Sequence, residues 1–245
     1  MNKIAMATLA AACTLVTACG GGGGGDSEPP PTGLAGYAMV RPTTGTTSVY
    51  AVTSVDDLGT AVQTSYRDVV QSVASDGSYA LHRDDPTNSG GTVDGIDFRQ
   101  PPAVLGFTAA GRQATIQVDG GSPLCTFAPQ DAGEALPLTI GETFTDTLVE
   151  ICDSQAAATF ATSGSVVDSE NITVAAGTFA ALKLAYTTTR DGPQGSHAVT
   201  TGTKWVDPAH SFFTIKDVST TTQLPSVYFP HYVTSSTIEL QGRTY

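Results

Sequence analysis

The sequence predicts an all-β protein: a single curved antiparallel sheet or half-open barrel, preceded by a disordered signal and tether segment. Three observations carry this. Only 14% of the 245 residues are charged, and Lys and Glu are too scarce for long surface helices. Gly-containing turn signals recur along the chain, at Thr44-Gly45, Asp57-Leu58-Gly59, Ser75-Asp76-Gly77-Ser78, Asp119-Gly120-Gly121 and Arg190-Asp191-Gly192-Pro193. Between them lie short runs rich in Val, Thr, Ile, Tyr and Phe, the residues that suit a pleated surface.

Before the sheet comes a targeting segment, residues 1–18. Asn2 and Lys3 make a short, positively charged start, and Ile4 to Val16 runs apolar without a charge. That run has the length of a secretory apolar region and is too short to span a bilayer. It ends Val16-Thr17-Ala18-Cys19. These residues resemble the lipobox of bacterial lipoproteins. The resemblance implies cleavage before Cys19 and lipidation of Cys19, with palmitate among its acyl chains. Gly20 stands where an aspartate would favour inner-membrane retention, so it also implies the outer membrane, on its periplasmic or cell-surface face. Residues 19–33 open, after Cys19, on the six-glycine run Gly20 to Gly25 and continue with Asp26-Ser27-Glu28-Pro29-Pro30-Pro31. Such a chain does not fold alone and gives a tether with a root-mean-square reach of roughly 20 Å.

Residues 34–245 form the expected β-rich domain. Ser48 to Thr53 reads as a strand. Val55 to Val73 has apolar residues at helix-like spacing, but Gly59 and the many Thr, Ser and Val favour strand, and strand is the expectation. Val69 to Ala74 and Ser78 to Arg83 frame an Asp-Gly turn and read as a hairpin. Thr115 to Val118 and Leu124 to Phe127 read as another. Then follow Thr143 to Ile151, Val166-Val167, Asn171 to Val174, Phe179 to Thr189, Ala198 to Val206, Phe212 to Thr222 and Val233 to Leu240. Thr43-Thr44-Gly45-Thr46-Thr47 finds a faint echo in Leu138-Thr139-Ile140-Gly141-Glu142-Thr143-Phe144.

Gly141-Glu142-Thr143-Phe144, Ile172 to Leu184 around Ala176-Gly177-Thr178-Phe179, and Gly202-Thr203-Lys204-Trp205-Val206-Asp207-Pro208 form a pattern. It is similar to that of uncharacterised β-rich bacterial envelope proteins. The resemblance implies a half-open barrel of lipoprotein-carrier type. It departs after Pro208, where Ala209-His210-Ser211 replaces the family's glycine turn.

Cys125 and Cys152 remain once Cys13 leaves with the leader and Cys19 is acylated. In an oxidising compartment they are a candidate disulfide, with two buried thiols as the alternative. Neither has a C-x-x-C or nearby histidine partner, which disfavours a metal. The acidic stretch Asp84 to Asp97 has oxygen donors but not the spacing of a calcium loop, and reads as a solvated loop. Asp207, His210 and His231 could approach a metal, yet read better as surface residues. No metal or cofactor is expected.

A net charge of −12 disfavours nucleic acid as a partner. No G-x-S-x-G, H-E-x-x-H, P-loop or dinucleotide fingerprint occurs, so no catalytic residue is assigned and an enzyme is not expected. Phe179, Leu182, Leu184, Trp205, Phe212 and Phe213 are candidate lining residues of an apolar cavity. The expected function is therefore a non-enzymatic, membrane-anchored lipoprotein that binds an apolar ligand or an envelope protein. The alternatives are a structural module without a small-molecule site and, behind it, a hydrolase.

Overall fold

The computed structural model describes residues 37, 40–87, 91–93, 96–98, 102–109, 111–119, 124–128, 138–153, 155–211, 213–223 and 231–245. Cys19, the leader, the tether and Phe212 lie outside the described residues. The strands are β1 Thr47–Asp56, β2 Ala61–Val73, β3 Tyr79–Asp84, β4 Thr92–Val93, β5 Ile96–Asp97, β6 Ala103–Phe107 and β7 Gln113–Val118. They continue with β8 Leu124–Ala128, β9 Thr143–Cys152, β10 Gln155–Val174, β11 Gly177–Asp191, β12 His197–Asp207, β13 Phe213–Gln223 and β14 Val233–Thr244. Strands β4 and β5 make a small separate ladder. The other twelve form one up-and-down antiparallel meander. The all-β expectation holds. The sheet goes further than half-open: β14 returns to β1 over ten residue pairs and closes the barrel. Closure removes the sheet edges that would otherwise invite pairing with other chains.

Local chemistry explains the turns. After β1, Asp56 Oδ1 accepts from the Leu58 and Thr60 amides at 2.9 and 2.8 Å, and Gly59 takes φ +85°. The chain therefore reverses inside the stretch with helix-like spacing. Between β2 and β3, Asp76 accepts from the Ser78 amide and hydroxyl, and Gly77 takes φ +95°. The sequence echo is geometric too. Gly45 and Val70 are joined by the Gly45 amide to Val70 O and the Val70 amide to Thr46 O, and Gly141, Glu142 and Val166 repeat that pattern. Val70 and Val166 are both fully buried. Each of these turns launches a ten-residue strand, β1 and β9, which opens a run of six barrel strands.

β10 is one strand of 20 residues; Val166-Val167 and Asn171 to Val174 are parts of it. Its first half holds four alanines and one glycine, residues with little strand propensity of their own. Pairing with β9 and β11 on both sides imposes the conformation. Gly164 allows it: a Cβ there would sit 2.5 Å from both Ala185 O and the Phe144 ring.

Side chains alternate across the wall. Inward lie Val70, Tyr79, Leu81, Leu105, Phe107 and Phe127 of one apolar cluster and Phe144, Val166, Leu184 and Val206 of a second. Outward, the cross-strand neighbours Thr145, Ser163, Thr187, Thr201, Thr220 and Ser235 all carry hydroxyls. Gln63, Ser65 and Arg67 face outward on β2. This pattern is the reverse of a membrane-spanning barrel, which turns an apolar band to lipid.

Candidate functional site

The barrel interior is the candidate site, because alternation sends charged residues there along with the core. Lys204 and Asp217 pair at 3.2 Å with side chains 6% and 3% exposed. Arg112 pairs with Asp146 in similar burial. Arg83 grips Asp68 through two hydrogen bonds of 2.8 Å. Arg243 donates to Asp207 at 2.8 Å and to Ser48 Oγ at 3.1 Å, and its guanidinium lies between the Phe179 and Phe213 rings. Asp207 also accepts from the Ala209 amide and meets His210 Nδ1 at 2.9 Å. The Tyr186 hydroxyl donates to Asp217. Burial raises the phenols of Tyr50 and, further, Tyr66 above their ordinary range. Burial opposes the Arg83 charge, but the Asp68 carboxylate outweighs it and holds the guanidinium firmly protonated.

One end is closed by the β10–β11 hairpin. Its tip runs beyond the pairing with β12, and the Ala176 amide donates to Leu240 O at 3.3 Å. Val174, Ala176 and Phe179 pack on Tyr50, Tyr66 and Leu240. Gly177, at φ +133°, makes the reversal.

The residues predicted to line a cavity separate. Phe179 sits in the hairpin plug, and Leu182 and Leu184 are core residues of the second cluster. Trp205 lies on the opposite face of β12 from buried Lys204, where its Nε1 donates to Glu170. Of the described ones among them, Phe213 alone lines the internal chamber, together with Tyr50, Tyr66, Asp68, Tyr79, Leu81, Arg83, Phe107 and Thr214. That chamber measures about 30 Å³. Ligand pockets run to roughly 300–1,000 Å³. A shallower groove of about 270 Å³ lies over Ser72, Ala74, Ser78, Ala80, Gly106 and Ala114, with Tyr79 and Phe107 beneath.

Each histidine has an aspartate as ring partner: His82 with Asp119, His197 with Asp191, His210 with Asp207 and His231 with Asp57. Asp207 and His210 therefore meet, while His231 sits elsewhere. In the acidic stretch, Asp84 is taken by Arg67 and Asp85 caps Thr87. Cys125 and Cys152 face each other across β8 and β9 and are joined, with Cα atoms 4.0 Å apart. Glu150 lies against the pair, its carboxyl raised by burial. The sulfurs are bonded to each other, so this trio offers no thiolate to a metal. The interior ion pairs were not visible in the sequence, since Asp68, Lys204 and Asp217 look like ordinary strand-surface residues. The available signal was their parity with Tyr66, Val70, Val206 and Ile215.

No protein-family model matches the chain, and no curated protein matches it. Among solved structures, a Bacteroides fragilis protein described as exported and of YmcC-like fold superposes with TM-score 0.49 at 12% identity. The match covers 83% of this chain and 97% of that one. A Parabacteroides distasonis protein described as a lipoprotein gives TM-score 0.42 at 11% identity, over 83% and 97% of the two chains. The hypothetical lipoprotein YmcC of Escherichia coli gives 0.40 at 13%, over 81% and 85%.

Proposed function

We propose that the chain is a non-enzymatic lipoprotein of the bacterial outer membrane, whose barrel is a rigid tethered body and not a carrier of apolar ligand. On this reading it engages an envelope protein through its outer surface. The observation that carries the proposal is the filled interior. Four ion pairs and the apolar clusters occupy the barrel, and a chamber of about 30 Å³ has no room for an acyl chain. The hydroxyl-rich outer wall suits a body held in water beyond the membrane. Attachment rests on Val16 to Cys19 and the Gly- and Pro-rich tether. Two lipid signals already give stable anchoring. Labelled palmitate is expected on the wild-type protein, and a Cys19→Ser variant is expected in the soluble fraction. A variant that stays in the membrane pellet, or a wild-type protein without label, contradicts the anchor.

A further inference from the structure

We propose that the internal chamber is a hydration site, in which one or two waters link the Tyr79 hydroxyl to the Asp68–Arg83 pair. Tyr79 is 4% exposed and its Oη has no protein partner among the described residues. Its ring stacks on Phe107 with centroids 4.8 Å apart and planes 6° from parallel, so the hydroxyl cannot swing away to find one. Tyr79, Asp68, Arg83 and Thr214 all line the same chamber. Burial, with the Asp68 charge added, pushes the Tyr79 phenol far above its ordinary range, so the hydroxyl keeps its proton and donates.

The room and the chemistry agree. A water needs about 10–15 Å³ of such space and two to four polar partners. The chamber gives about 30 Å³. Each Asp68 oxygen accepts one Arg83 N–H, and a carboxylate has about four acceptor sites, so lone pairs remain for water. An apolar void of this size would stay dry. This one has a carboxylate, a guanidinium, a threonine and three tyrosines in its wall beside Leu81, Phe107 and Phe213.

The test is a crystal structure of the full chain at a resolution that shows waters, with the melting temperature of Tyr79→Phe beside it. The expected result is density at about 2.6–3.2 Å from Tyr79 Oη and from an oxygen of Asp68 or Thr214. In Tyr79→Phe that density is lost or displaced, and Tm falls by roughly 2–4 °C. A chamber without density, or Tyr79 Oη bonded directly to the protein, overturns the proposal. So does a Tyr79→Phe variant whose Tm holds or rises, because removing a hydroxyl that bonds nothing relieves a desolvation cost.

Discussion

Replacing Asp207 by alanine is expected to lower the melting temperature by on the order of 10 °C. The reason is the state in which it leaves Arg243. That guanidinium is 2% exposed, enclosed by the Phe179 and Phe213 rings, and Asp207 is its paired carboxylate. Arginine cannot shed its proton to escape the low-dielectric interior. Stripping the partner from a buried pair costs about 3–5 kcal/mol, since the remaining charge is left uncompensated. Asp207 also accepts from the Ala209 amide and holds His210, so the turn into β13 loosens as well. The matching variant, Asp207→Leu with Arg243→Met, is expected to recover most of the loss, because an apolar pair of similar volume carries no desolvation cost. Thermal unfolding followed by circular dichroism reads both. A single variant as stable as the wild type would mean that water reaches Arg243.

Removing the disulfide has the next largest effect. Cys125 and Cys152 are 27 residues apart, and the chain-entropy model gives a loop of that length about 3–4 kcal/mol. Its position adds to this. Among the described residues, the β8–β9 seam, where the two six-strand runs meet, shows four residue pairs, against ten where β14 meets β1. The Cys125→Ala, Cys152→Ala double variant is expected to melt lower and to open at this seam first. Hydrogen exchange should speed up in β8 and in the second half of β9 before it does in β11 or β12. Uniform acceleration across the barrel would show that the bond acts only on the unfolded chain.

The strands and turns were legible where local chemistry decides them. Asp76-Gly77 and the Val-rich run of β2 needed no tertiary help. β6, only five residues long with Ala103 and Gly106 among them, went unseen, and so did the first half of β10, where four alanines and Gly164 carry little strand propensity and neighbouring strands supply the order. The turn echo at Gly45 and Gly141 was visible as letters, but its shared hydrogen bonds to Val70 and Val166 depend on strand register. The interior ion pairs stayed hidden for the same reason. Asp217 reads as an exposed strand residue until its register with Lys204 and its inward parity are known. The aromatic residues expected to surround one cavity were read from composition, which carries no facing. Trp205 turned to the outer surface and Phe179 to the plug.

Native mass spectrometry of the full chain, extracted gently from a bacterial envelope, tests the account most directly. A barrel filled by its own side chains predicts the mass of the acylated polypeptide alone, unchanged between native and denaturing conditions apart from bound solvent. An additional lipid mass, retained in the native spectrum and lost on denaturation, would contradict it.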